Sequence, residues 1–193
     1  MKQFLESDDL LQTIASETEK VNSDARQLVA GLADAQLNWK PAPNAWSIAQ
    51  CLEHLAVTSE KFDQDFAKAL ARGREKRPAS GAVRYRPTMF GGWLVKQLSP
   101  EAKRKWPAPG VFKPSERSAI KGALERFLSQ QEKFLGFVNE ARGIDYNKTR
   151  LRSPVTPLMR YSLADALVMT VVHGQRHLAQ ARRVREMSGF PKA

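Results

Sequence analysis

WSIAQCLEHLAVTSEKFDQDFAKALA, residues 46–71, reads as a helix that carries its own start signal. The Ser47 hydroxyl can accept from the backbone N–H three residues on, and the Gln50 side chain can reach back to the Ser47 N–H. That reciprocal pair is a capping box, and it places a helix over Ile48–Ala71. The same order, an aromatic, a capping serine, an apolar residue and alanine, returns as Tyr161-Ser162-Leu163-Ala164-Asp165. It opens a helix expected over Leu163–Met187, stopped by Ser188-Gly189 and then Pro191. Beyond their caps the two segments diverge, so they read as one way of starting a helix used twice rather than as a duplication.

Outward from these, residues 8–31 place Leu10, Leu11, Ile14, Val21, Leu28 and Val29 mostly on one side of a 3.6-residue period, with Gly31 as a stop. Pro41 and Pro43 break the pattern before Ser47. A further amphipathic helix is expected over Glu116–Ala141, with Ile120, Leu124, Phe127, Leu128, Phe134, Leu135 and Val138 on its apolar face. No alternating run of strand type competes. The expectation is an all-α four-helix bundle, a single domain over residues 1–193, with a long connection, residues 72–114, between its second and third helices. Within the connection Phe90, Trp93, Leu94 and Leu98 form a short amphipathic segment fit to pack over the bundle.

With 42% apolar and 26% charged residues and a mean hydropathy of −0.47, the composition is that of a chain that folds into a core. The acidic start, MKQFLESDDLLQTIASETEK, lacks the apolar centre of a signal peptide, and no run approaches the roughly 18 apolar residues of a membrane helix. The expectation is a cytoplasmic protein that does not engage a membrane. A single cysteine, Cys51, excludes an internal disulfide. The net charge of +11 is uneven: −5 over residues 1–71, +9 over 72–114 and +7 over the rest. A basic segment of this kind raises the local potential for anions.

The chain has three histidines. His173 and His177 lie four apart in a helix, one above the other on the same face, so both rings can point at one place. A third imidazole from another helix completes a three-histidine set that leaves a metal at least one open position, as in catalytic sites, and His54 is the remaining candidate. An HxxxH pair taken alone reads more readily as two surface or interface histidines. Here Val168, Val171 and Val172 make the preceding turn apolar and His54 stands between Leu52 and Leu55, so each ring needs a partner. Imidazole donors allow zinc, nickel, copper or iron. Cys51, one turn before His54, reads as core filling, Glu53 as solvent-facing or supporting rather than a ligand, and Gln50 as a cap.

Gly174 comes after His173 where the zinc proteases have glutamate, so the general base of that class is missing. There is no GxSxG, no phosphate-cradling glycine loop and no nucleophile with an adjacent base. Any chemistry would rest on the metal.

WSIAQCLEHLAVTSEKF and HGQRHLAQARRVRE, with FGGWLVKQL and APGVFKP in the connection, resemble the DinB/YfiT-like superfamily of metalloenzymes, closest to its DinB-like branch. The resemblance implies a four-helix bundle holding a divalent metal, usually zinc or nickel, on one histidine of the second helix and an HxxxH pair of the fourth. The matching positions are His54, His173 and His177. It further implies a thiol transferase using a low-molecular-weight thiol such as bacillithiol, mycothiol or glutathione as cosubstrate, and frequent homodimers. Catalytic residues beyond the metal set, and residues that bind a thiol, are left unassigned.

Two other functions stay open. One is hydrolysis by a metal-activated water on a small, anionic substrate. The other is a non-catalytic nucleic-acid or anion-binding protein with a structural metal, for which RGREKR, VRYRP and KRK, interleaved with Tyr85, Trp93 and Trp106, are the basis. No helix-turn-helix or zinc finger accompanies these runs, and the expectation is against nucleic acid.

Overall fold

A computed structural model describes residues 2–76, 84–103, 106–116, 120–156 and 158–192. Four long helices carry the fold: α2 (Leu10–Val29), α4 (Ile48–Arg74), α6 (Ala123–Glu140) and α7 (Leu163–Arg185). Three short ones accompany them, α1 (Lys2–Leu5), α3 (Asp34–Asn38) and α5 (Met89–Leu98). The capping box expected at Ser47 and the capping serine expected at Ser162 are both present, with Gln50 N–H donating to Ser47 Oγ at 3.1 Å and Asp165 N–H to Ser162 Oγ at 3.0 Å; Asp165 completes a second box.

In the bundle α4 packs against α6 and α7, and α2 against the same two, so the first two long helices of the chain face each other across a diagonal. Helices α2 and α7 run parallel: Gln175 reaches Glu17 at 2.9 Å and, further along both, Arg185 reaches the Leu28 carbonyl at 2.6 Å. Helices α4 and α6 are parallel too, since Arg126 meets Glu60 at 2.7 Å and Lys133 meets Asp63 at 2.6 Å. Parallel neighbours cannot be joined by tight turns, and here the long connection of residues 75–122 carries the chain back from the end of α4 to the start of α6.

The core divides into two apolar clusters along the bundle. One gathers Phe4, Leu10, Ile14, Phe66, Leu70, Phe134 and α7 up to Val172. The other gathers Val21, Leu28, Ile48, Leu52, Phe127 and α7 from Leu178. His173 and His177 fall in the interval of α7 between them.

Three features differ from the sequence expectation. The third long helix starts at Ala123, not near Glu116. Gly122 stands at φ +65°, and Asn38 clamps both backbone groups of Ile120, accepting its N–H at 2.7 Å and donating to its carbonyl at 3.2 Å. That non-local clamp competes with a helical turn and wins; residues 117–119 of the expected span lie outside the described residues. Two strands, β1 (Arg150–Arg152) and β2 (Arg160–Ser162), pair antiparallel with Leu151 opposite Tyr161, both buried. At three residues each, they are too short to show an alternating pattern. Finally, α3 fills part of the stretch before Pro41 and Pro43, which the sequence marks only as a break.

The amphipathic segment is α5, and it packs on α7 with Phe90, Leu94 and Leu98 against the core while Trp93 stays 48% exposed. Among the described residues no helix is long and apolar enough to cross a membrane.

Candidate metal centre

The capping box fixes where α4 begins, and the seven-residue step from Ser47 to His54 makes about two turns that bring the His54 ring to the interior, with the residue 3% exposed. From α7, His173 and His177 present their rings one turn apart, with centroids 4.5 Å from each other and 5.0 and 4.5 Å from His54. One ring nitrogen from each of the three lies within 4.8 Å of the other two. The three histidines singled out by sequence therefore meet at one point, and no carboxylate or thiolate joins them among the described residues.

The His54 Nδ1–H donates to the Phe112 carbonyl at 2.6 Å. A carbonyl can only accept, so the proton sits on Nδ1 and Nε2 keeps its lone pair. That Nε2 lies 3.2 Å from His173 Nε2. Two such atoms cannot face each other as lone pairs; either His173 donates a proton or both face a shared cation. The Nδ1 of His177 is buried without a hydrogen-bond partner of good geometry among the described residues, the Gln180 side chain being the polar group that acts on this ring.

All three rings are held neutral. Burial pushes His177 down to about 3, with His54 and Arg176 adding to the effect. Burial likewise holds His173 well below the usual histidine range, reinforced by His177, His54 and Arg176. His54 is lowered by burial, opposed by its bond to Phe112. Neutral imidazoles are the form that ligates a metal.

The donor set fits a divalent ion. Zinc–nitrogen bonds of roughly 2.0–2.1 Å in a tetrahedron put neighbouring nitrogens roughly 3.3–3.5 Å apart. The His54–His173 pair at 3.2 Å already stands near this, and a 4.8 Å upper bound leaves side-chain movement on the order of an ångström to close the set.

Trp46, visible in the sequence only as the aromatic before a cap, covers the cluster with its ring 4.7 Å from His54 and 5.6 Å from His177. The Phe112 carbonyl belongs to the connection, 58 residues from His54, and a backbone acceptor leaves no mark in a side-chain sequence. Cys51 is fully buried among apolar neighbours, and burial pushes its thiol up to about 12, so core filling is its role. Glu53 is not solvent-facing: it is 8% exposed and accepts the Ser115 N–H at 2.7 Å. Of the connection's cations, Arg84 pairs with Asp8 at the surface, and Arg86 and Lys113 are exposed; it is the connection's backbone that reaches the histidines.

Fold and site together define a helical bundle with a three-histidine centre between two facing helices. The chain belongs to the DinB superfamily, whose sequence model matches residues 17–181. Its fold is that of YfiT from Bacillus subtilis, described as "a probable metal-dependent hydrolase with an unusual four-helix bundle topology". The two superpose with a TM-score of 0.58 at 19% identity, over 94% of this chain and 89% of that one. No curated protein matches the sequence.

Proposed function

We propose that His54, His173 and His177 hold one divalent metal, zinc or nickel, and that the protein is a metal-dependent enzyme transferring a low-molecular-weight thiol to a small electrophile. The observation that carries this reading is the convergence of three neutral ring nitrogens from two helices within 4.8 Å. A divalent ion bound there would lower the pKa of a thiol or a water and supply a nucleophile near neutral pH.

The protein's own groups prepare the place. Phe112 holds His54 in one tautomer, and Trp46 excludes water from one side of the cluster. By residue exposure His54 and His177 are buried and His173 is intermediate. Three neutral donors leave a divalent charge uncompensated, and Arg176 and Arg183 add positive potential at His177. An anionic ligand is favoured on both counts, and a thiolate is the softer match to an imidazole-bound zinc or nickel. Hydrolysis is the second reading, supported by the fold shared with YfiT and its description as a metal-dependent hydrolase.

The two separate in one assay of the zinc- or nickel-loaded protein with bacillithiol, mycothiol or glutathione and an electrophile, beside an ester or amide without thiol. Transfer requires metal-dependent formation of a thiol adduct. Cleavage without thiol would assign hydrolysis, and no metal-dependent turnover of either kind would leave a structural metal.

A further inference from the structure

Glu53 precedes the candidate ligand His54, yet about 100° separates neighbouring residues round a helix, so its carboxylate does not share the histidines' direction. It is nonetheless buried, at 8% exposure. One oxygen accepts the Ser115 N–H at 2.7 Å and the other lies 3.6 Å from Arg126 of α6. Gln50, one turn earlier, donates to the Ser115 carbonyl at 3.1 Å. Both backbone groups of Ser115 are thus tied to α4, and three residues upstream the Phe112 carbonyl takes the His54 proton at 2.6 Å.

The geometry points to Glu53 as a positioning residue for the metal centre: by fixing Ser115 it fixes the Phe112 carbonyl, and through it the tautomer and ring angle that aim His54 Nε2 at His173 and His177. A connection anchored at Ser115 presents its carbonyl at one place, whereas one released there is free to reorient it. Buried carboxylates are retained where they are paired, and the pairing here joins α6, α4 and the connection directly beside the site. The inference rests on the metal-centre reading for its affinity arm and on the hydrogen bonds alone for its tautomer arm.

The test compares Glu53→Ala with Glu53→Gln in the full chain, since glutamine keeps an oxygen for the Ser115 N–H. In metal-free protein, imidazole nitrogen NMR should show His54 as the single Nδ1–H tautomer in the wild type and in Glu53→Gln, and a mixture in Glu53→Ala. Zinc affinity, read by competition with a chromophoric chelator, should fall about 10–100-fold in Glu53→Ala and only a few-fold in Glu53→Gln. If alanine unfolds the bundle, Glu53→Asp, which keeps the charge but shortens the reach, should show the same losses. Unchanged tautomer and affinity in Glu53→Ala, or in a folded Glu53→Asp, would overturn the inference and leave Glu53 a structural partner of Arg126. A wild type that binds neither zinc nor nickel would defeat the proposed function, while the metal-free tautomer would still decide the role of Glu53.

Discussion

Three imidazoles within reach of one another are a liability to the metal-free protein whenever they protonate. His177 is lowered to about 3 from an ordinary 6.5, and His173 and His54 are lowered with it, so the folded state takes up these protons later than the unfolded chain does. With folded pKa values depressed, the rings contribute stability that is fully present above about pH 6.5 and is lost as pH falls towards 3. Each ring contributes a slope of about 1.4 kcal/mol per pH unit inside its window. Denaturant midpoints of the metal-free protein should hold steady from pH 8 to 7 and fall below 6.5, and His177→Gln should flatten that fall. A wild-type profile that is level between pH 6.5 and 4 would contradict the neutral cluster. The histidines themselves were legible because only three exist and two stand four apart. Trp46 was not, and for Glu53 the sequence allows a solvent-facing or a supporting place: which of the two holds depends on what packs against it, and helical spacing says nothing about a partner 62 residues away at Ser115.

At the scale of elements, each capping box does more than start its helix. Gln50 and its neighbour Glu53 hold the far end of the connection at Ser115. Asp165 holds the near end, accepting from Tyr85 Oη at 2.8 Å and Thr88 Oγ1 at 2.7 Å while fully buried. The connection is thereby pinned to α7 at one end and α4 at the other, and α5 lies between. At the α5–α7 contact a Cβ on Gly91 would fall on the Asp165 carboxylate. Gly91→Ala should cost about 1–3 kcal/mol by overpacking. Gly136, inside α6 with nothing near its missing Cβ, is the internal comparison, and Gly136→Ala should gain about 0.5–1 kcal/mol. Urea unfolding of the two variants measures both signs, and a Gly91→Ala as stable as the wild type would refute the close approach. The caps were readable from four or five residues each. The start of α6 was not, because Asn38 competes for Ile120 across 82 residues, and neither was the short β1–β2 pair, which forms where two buried side chains meet across a turn.

For the whole molecule, the all-α class and the number of long helices came from periodicity and caps, while their arrangement did not. Which helices are neighbours is set by long-range packing, and the diagonal placement of α2 and α4 becomes visible only when α6 and α7 separate them. That placement sets the first half of α4 against the second half of α7, running the opposite way, so that His54 meets His173 and His177 in the gap between two apolar clusters. Binding of a metal to this native arrangement, and not to the unfolded chain, would add stability by mass action, about 2.7 kcal/mol at a free concentration of 100 times the Kd. Alanine at any one of the three positions keeps helix propensity while removing a donor. The most direct measurement is zinc and nickel stoichiometry with thermal stability, for the wild type and for His54→Ala, His173→Ala and His177→Ala, each checked for helicity. A metal centre at these rings requires one ion per chain and a chelator-sensitive rise in Tm in the wild type, with affinity lost at least tenfold in each variant at unchanged helix content. A wild type that binds no ion, or three variants that bind it as the wild type does, would contradict it.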